Sequence, residues 1–103
     1  MPRLNSEGFL ENAHEWTPEI ARQLAAADGI ILTDNHWEII GFLRDFYKLH
    51  EISPPSNRLF VKAVKDVMGE EKGNSIYLMQ LFPGTPAKTA CRLAGLPRPT
   101  NCL

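Results

Sequence analysis

The chain contains two cysteines, Cys91 and Cys102, and both lie near its C-terminal end. The thiolate form of cysteine is a nucleophile in thiol–disulfide exchange, and it is also the form that binds metal ions. The two cysteines and three scattered histidines show neither CxxC nor HxxxH spacing, so we expect no metal site. A reducing compartment disfavours a purely structural disulfide. The pair therefore predicts thiol exchange, with packing as a small apolar side chain as the alternative for Cys91.

Charge is distributed unevenly along the chain. Residues 1–50 contain four Lys and Arg against eight Asp and Glu, whereas residues 51–103 contain seven against four. From Lys72 to the end there are four basic side chains and no acidic one. Because nearby cations favour the thiolate, Lys88, Arg92 and Arg98 are candidates for stabilising thiolates or anionic sulfur species. Chance segregation of charge on a short chain is the alternative.

The last helix of the chain should carry Cys91. Thr85 followed by Pro86 is typical of a helix start, because proline suits the first helical position. This helix should run to residue 94, and Gly95 should stop it, because glycine suits the position after a helix end. Cys91 is therefore predicted to sit on a rigid element.

The residues after this helix should form an extended arm that carries Cys102. Residues 96–103 include two prolines, which prevent helix formation. A disulfide requires Cα atoms within about 7 Å of each other, and a seven-residue segment spans at most roughly 23 Å. Cys102 can therefore project towards a partner or fold back onto Cys91, with Gly95 as a natural hinge.

Capping residues and apolar periodicity predict a mainly α fold with about five helices in one compact domain. A capping side chain or an early proline marks each start, and glycine or proline marks each end. The predicted helices begin at residues 18, 34, 57, 75 and 86. We expect a helical domain over residues 1–95 with a small N-terminal β-element, followed by a mobile C-terminal arm over residues 96–103.

Several functional classes have no support in the sequence. There is no Gly-rich phosphate loop, no paired-acid site and no Ser-His-Asp arrangement in a recognisable context. No apolar run reaches the length of a membrane helix and no secretory signal is visible, so we expect a cytoplasmic protein. His36 is expected to pack or to cap a helix rather than to catalyse. We expect no cofactor, and a monomer when the protein has no partner.

The sequence of the last helix and the arm is specific. It reads Ala-Cys-Arg-Leu-Ala-Gly-Leu-Pro-Arg-Pro-Thr-Asn-Cys-Leu over residues 90–103. Other distinctive segments are residues 35–38 (Asn-His-Trp-Glu), 42–47, 69–75, 81–83 and 86–88. Together these segments closely resemble the DsrC/TusE family over nearly the whole chain. That family includes the gamma protein associated with dissimilatory sulfite reductase and a sulfur-relay protein for tRNA thiolation.

The resemblance implies a helical DsrC-like domain with a flexible arm and a role as a sulfur carrier. In the family the penultimate cysteine, here Cys102, accepts sulfur as a persulfide. In DsrC-type members a second cysteine, matching Cys91, joins it in a disulfide or a sulfur-bridged trisulfide. TusE-type members usually lack this second cysteine, so the resemblance favours a DsrC-type partner of dissimilatory sulfite reductase. Such a carrier is a protein substrate rather than a turnover catalyst.

Three alternatives stay open at this point. The first is a TusE-type relay within a sulfurtransferase complex that serves tRNA 2-thiouridine synthesis. The second is a helix-turn-helix DNA-binding regulator in which Arg58, Lys62 and Lys65 face phosphate, although the net charge of −1 makes nucleic acid an unlikely partner. The third is a redox switch that closes a Cys91–Cys102 disulfide without carrying sulfur.

Overall fold

The structure, a computed structural model, describes residues 1–101. Over this range the chain forms a short 3₁₀ helix and five α-helices. The 3₁₀ helix spans Ala13–Glu15, and the α-helices are α1 (Pro18–Ala27), α2 (Asp34–His50), α3 (Asn57–Met68), α4 (Ser75–Leu81) and α5 (Pro86–Leu93). The prediction of a mainly α fold with about five helices is confirmed.

Local capping explains where the helices begin. Thr17, Ser56 and Asn74 each accept the backbone N–H three residues later through a side-chain oxygen, at 3.3, 3.2 and 2.8 Å. Each cap satisfies one of the N–H groups that a helix start leaves without an intrahelical partner. Pro18 and Pro86 occupy the first turns of α1 and α5, where a missing N–H has no cost.

His36 packs and caps, as the sequence suggested. Its Nδ1 accepts the backbone N–H of Thr33 at 3.1 Å, which caps the start of α2. Its Nε2 lies 2.8 Å from the carbonyl oxygen of Leu81 at the end of α4, so the tautomer with a proton on Nε2 satisfies both contacts. The ring also meets the ring of Phe82 edge to face, at 5.3 Å between centroids. His36 therefore joins α2 to α4.

α5 is the central helix of the fold, because it packs against each of the other four α-helices. Its buried side chains are mostly small, which allows the neighbouring helices to approach closely: Pro86, Ala87, Ala90, Cys91 and Leu93. Larger apolar side chains fill the space around it, among them Phe9, Ile39, Leu43, Phe60, Leu78 and Phe82. Burial of this apolar surface is the main source of stability. Cys91 therefore lies in the core of the protein.

The small N-terminal β-element is not confirmed. Leu4 and Leu10 form one isolated antiparallel bridge, and no strand is present within residues 1–101. The intervening turn is closed by Asn5, whose side chain accepts two backbone N–H groups. The bridge is made by two backbone bonds, from Asn5 to the carbonyl oxygen of Phe9 and from Glu11 to that of Arg3, and Asn12 then caps the 3₁₀ helix. A tight turn followed at once by a helix cap leaves no room for a ladder.

No helix in the described part of the chain is long and apolar enough to cross a membrane. The longest, α2, has 17 residues and carries several charged side chains. Residues 1–101 also contain no group of three or more His, Cys, Asp or Glu side chains arranged to hold a metal ion.

Candidate functional site

The backbone of Cys91 is tied to the start of the arm. The carbonyl oxygen of Cys91 accepts the N–H of Leu96 at 2.9 Å, and that of Arg92 accepts the N–H of Gly95 at 3.2 Å. This pair of bonds is the Schellman motif, and Gly95 adopts the left-handed conformation it requires, with φ of +75°. The Cys91 side chain is fully buried. The first cysteine and the base of the arm therefore form one hydrogen-bonded unit.

Trp16 and Arg44 enclose the end of α5. The indole Nε1–H of Trp16 donates to the carbonyl oxygen of Leu93 at 2.9 Å. Arg44 donates to the carbonyl oxygen of Ala94 at 3.2 Å, and its guanidinium lies 4.6 Å from the centroid of the Trp16 ring. A Cβ added to Gly95 would lie only 2.4 Å from the same ring. The predicted hinge glycine is therefore packed against an aromatic side chain.

The described part of the arm is bonded to the loop that joins α2 to α3. Ser53 Oγ donates to the carbonyl oxygen of Pro97 at 2.5 Å. The backbone N–H of Asn101 donates to the carbonyl oxygen of Pro55 at 2.7 Å. Because the prolines of this loop carry no N–H, the loop presents its carbonyl groups and the Ser53 hydroxyl as partners. Residues 97–101 of the arm are thus held at both ends.

Apolar packing and an ion pair hold the same segment. The side chains of Leu96 and Pro99 are fully buried. Between them Arg98 forms an ion pair with Glu7 at 3.0 Å, which links the arm to the N-terminal turn. The arm is therefore in contact with the body at nearly every residue from 96 to 101.

Cys102, the predicted sulfur-accepting residue, lies outside the residues that the structure describes. Asn101, the residue before it, is held by the bond to Pro55. The pairing of Cys102 with Cys91, the division of the chain at residue 95 and the mobility of the arm stay predictions.

The three basic candidates occupy different surroundings. Arg92 forms an ion pair with Asp28, and burial lowers the pKa of its guanidinium from the ordinary value. Arg98 is paired with Glu7. Lys88 is half-buried on α5, and no carboxylate of residues 1–101 lies within ion-pair distance of it. Within the described chain, Lys88 is the candidate whose charge is not offset by a carboxylate.

Comparison with known proteins decides the family. The family model described as DsrC like protein matches residues 2–103 of the chain. The chain belongs to the DsrC-like family.

Relatives of this DsrC-like protein carry two kinds of name. The sulfurtransferase TusE of Photorhabdus laumondii is 48% identical over 99 residues, which cover 96% of this chain and 88% of that protein. The NMR structure of Allochromatium vinosum DsrC is 49% identical with a TM-score of 0.85, over 97% of this chain and 88% of that one. The crystal structure of the oxidised gamma subunit of the dissimilatory sulfite reductase (DsrC) from Archaeoglobus fulgidus is 42% identical with a TM-score of 0.81, over 99% and 92%.

Membership of the DsrC-like family does not support the helix-turn-helix alternative. Two of the three cations assigned to phosphate contacts already face carboxylates of the same chain. Lys62 pairs with Asp66 at 3.0 Å, and Lys65 pairs with Glu70 at 3.6 Å. These pairs reduce the positive potential that a DNA-binding face needs.

Three residues that shape the arm of this DsrC-like chain were not among the predicted site residues. Trp16 and Arg44 enclose the end of α5, and Ser53 binds the arm. Their partners are 77, 50 and 44 residues away along the chain. Local patterns carry no information at such separations, and the sequence explained Gly95 as a helix end and a hinge, so nothing local pointed to its contact with Trp16.

Proposed function

We propose that this protein is a sulfur carrier that accepts sulfur as a persulfide on Cys102 and exchanges it with Cys91. The observation that best supports the proposal is the seating of residues 96–101 on the body, because this segment leads directly to a penultimate cysteine. The name sulfurtransferase carried by a relative of 48% identity supports the same chemistry. The protein then acts as a substrate that carries sulfur between enzymes.

The loading step is a thiol exchange. The thiolate of Cys102 attacks the outer sulfur of a donor persulfide, R–S–SH. The S–S bond of the donor breaks, the donor leaves as the thiolate R–S⁻, and Cys102 becomes Cys–S–SH. Atoms and electrons balance, and no external oxidant or reductant is needed.

Cys91 resolves the persulfide in a second exchange. Its thiolate attacks the inner sulfur of the Cys102 persulfide, forms the Cys91–Cys102 disulfide and expels hydrosulfide. The two protein thiols are oxidised while the transferred sulfur is reduced, so a thiol reductant must regenerate the carrier. Because Cys91 is fully buried and buried thiols react slowly, this step requires local opening of the packing around α5.

Lys88 is the basic residue that we assign to anionic sulfur. Arg92 and Arg98 already face carboxylates, which reduces the positive potential that each offers to an incoming anion. Lys88 lies on the same helix as Cys91. No carboxylate of residues 1–101 pairs with it, so its positive potential is not reduced in this way.

The partner we propose is dissimilatory sulfite reductase in the cytoplasm. The name of the Archaeoglobus fulgidus relative, a gamma subunit of that enzyme, supports this assignment. The presence of both Cys91 and Cys102 supports it as well, because two tail cysteines are the DsrC-type pattern. A sulfur relay for tRNA 2-thiouridine synthesis is the second candidate, and the name of the Photorhabdus laumondii relative favours it.

Intact mass spectrometry tests the carrier chemistry. The reduced protein is incubated with a small-molecule persulfide donor, and its mass is compared for wild type, Cys102→Ser and Cys91→Ser. We expect Cys91→Ser to gain about 32 Da for one sulfur atom on a thiol. Wild type should gain the same mass or, where Cys91 has resolved the persulfide, lose about 2 Da. Cys102→Ser should gain nothing, because its remaining thiol is buried.

Alkylation of the same samples in denaturant is the control for the state of the thiols. Both thiols are accessible once the chain is unfolded, so any thiol that is present and reduced is alkylated. A gain of mass that persists in Cys102→Ser would contradict loading at Cys102. A loss of about 2 Da in wild type together with no gain of mass in Cys91→Ser would indicate the redox switch instead.

Co-purification distinguishes the two partners. A tagged Cys91→Ser variant, which keeps the loading thiol, is isolated from cells that contain both enzyme systems. Recovery of dissimilatory sulfite reductase supports the first assignment, and recovery of a tRNA thiolase in its place supports the relay.

A further inference from the structure

The base of the arm is more firmly fixed than its sequence suggests. Gly95 lies in a Schellman motif, under the Trp16 ring. Ala94 is bound by Arg44, and the side chain of Leu96 is fully buried. Rotation at Gly95 would break the two bonds of the motif and expose Leu96. This glycine is an anchor of the fold and a poor pivot.

The segment after Leu96 is held by the buried side chain of Pro99 and by isolated polar contacts. One hydrogen bond at each end, from Ser53 to Pro97 and from Asn101 to Pro55, replaces the two-bond motif. The ion pair between Arg98 and Glu7 is about two-fifths exposed on both sides, so solvent screens it. All these contacts can be released while the end of α5 stays intact.

The backbone itself restricts where rotation can occur. Pro97 and Pro99 have fixed φ angles, and each restricts the residue that precedes it. The ψ bond of Pro97 is therefore the first one beyond the buried Leu96 that can turn freely. Its carbonyl group is the one that Ser53 holds.

We propose that the arm pivots at Pro97, and that Ser53 and Glu7 are positioning residues that fasten the segment leading to Cys102. Ser53 holds the carbonyl group at the pivot, and Glu7 holds the cation one residue later. The functional consequence rests on the proposed sulfur-carrier role. These contacts position the segment that leads to Cys102, so we expect their strength to set the rate at which a sulfur donor loads that residue.

Backbone amide hydrogen exchange by NMR tests the pivot without any sulfur chemistry. The amides of Leu96 and Asn101 report the two sides of Pro97, because one bonds to Cys91 and the other to Pro55. In Ser53→Ala we expect the Asn101 amide to exchange roughly two- to tenfold faster, the effect of losing one hydrogen bond. The Leu96 amide should exchange at the wild-type rate.

Charge-matched variants separate the ion pair from a general effect of charge. Glu7→Gln and Glu11→Gln each remove one carboxylate from the N-terminal segment, but only Glu7 contacts the arm, since Glu11 faces Arg3. We expect about a twofold increase in exchange at Asn101 for Glu7→Gln and none for Glu11→Gln. Because Glu7 is exposed, this pair keeps the test usable if Ser53→Ala folds poorly.

Two results would overturn the proposal. Equal acceleration at Leu96 and Asn101 would place the pivot at Gly95, and an unchanged Asn101 amide in both Ser53→Ala and Glu7→Gln would remove the fastening role.

The rate of persulfide loading on Cys102 supplies the functional measurement, in the Cys91→Ser background. We expect Ser53→Ala to load two- to tenfold faster than its parent, while Ser6→Ala, in an exposed turn, should not differ. Altered amide exchange without altered loading would refute the positioning role and leave the pivot standing. Absence of loading in every variant would count against the sulfur-carrier function and not against the pivot.

Discussion

Gly95 and Gly29 share a backbone conformation but differ in their surroundings. Their φ angles are +75° and +72°, and each follows the end of a helix. A Cβ at position 95 would overlap the Trp16 ring at 2.4 Å, whereas a Cβ at position 29 would meet nothing within 4 Å. At the scale of single residues, the pair separates the cost of backbone strain from the cost of a steric clash.

Gly95→Ala should therefore be much more destabilising than Gly29→Ala. The left-handed conformation alone costs an alanine about 1–2 kcal/mol, and forcing a methyl group into a filled space adds about 1–3 kcal/mol. We expect losses in the free energy of unfolding of about 1–2 kcal/mol at position 29 and about 2–5 kcal/mol at position 95. Urea denaturation measures both, and equal losses would show that Trp16 moves aside without cost.

At the scale of helices, the first two turns of α2 hold α4 at both ends. His36 donates to Leu81, the last residue of α4, and Glu38 pairs with Lys72, just before the α4 cap. α4 has only seven residues, too few for a stable helix by itself. Its position therefore depends on contacts with its neighbours.

His36→Ala should lower stability through two lost contacts. The start of α2 loses a cap, and the carbonyl group of Leu81 loses its partner in a half-buried position. Together these changes should cost about 1–3 kcal/mol in the free energy of unfolding. His14→Ala is the control, since its side chain is exposed. A change within 0.5 kcal/mol of wild type, about the range of a neutral surface substitution, would contradict the linking role.

The pair between Glu38 and Lys72 predicts a pH dependence. The hydrogen bond from Lys72 to Glu38 raises the pKa of the Lys72 ammonium above its ordinary 10.5. Its contribution to stability is fully present below that value and is lost as the pH rises through the raised pKa.

Glu38→Gln should therefore unfold more easily than wild type at neutral pH, and the difference should close above about pH 10.5, the ordinary value for this lysine. Thermal unfolding over a pH series measures it, with the exposed Glu15→Gln as control. If the difference in unfolding temperature between Glu38→Gln and wild type stays constant with pH, the substitution acts by disturbing packing and not by removing the ion pair.

At the scale of the whole molecule, the uneven distribution of charge joins the two halves of the chain. Lys72, Arg92 and Arg98 from the basic second half pair with Glu38, Asp28 and Glu7 from the acidic first half. The basic C-terminal region is thus largely neutralised within the molecule. Lys88 is the basic candidate without such a pair within residues 1–101, which is why the proposed function assigns anionic sulfur to it.

Asp28→Asn should be more destabilising than Asp66→Asn. Arg92 is largely buried and its ion pair with Asp28 links α5 to the end of α1, whereas the Asp66–Lys62 pair is exposed on one helix. Loss of the first carboxylate should cost about 1–2 kcal/mol, below the range for fully buried pairs, and loss of the second at most about 0.5 kcal/mol. Chemical denaturation of the two variants measures this, and equal losses would contradict the asymmetry.

The sequence by itself determined the helical framework. Thr17, Ser56 and Asn74 cap the helices that they were predicted to start, and Gly95 ends α5 as expected. Caps, prolines and glycines act on backbone groups only a few residues away, so their effects can be read without knowledge of the rest of the fold. The N-terminal β-element is not confirmed beyond the single Leu4–Leu10 bridge, because the extent of a strand depends on a partner that local sequence does not specify.

Only the tertiary structure decided what surrounds the arm. Trp16 against Gly95, Arg44 on Ala94 and Ser53 on Pro97 join positions at least 44 residues apart. These contacts exist because α5 packs in the centre of the molecule and brings its C-terminal end to the loops of other helices. The sequence identified the arm and its cysteines, while packing of the whole chain determined which residues hold the arm in place.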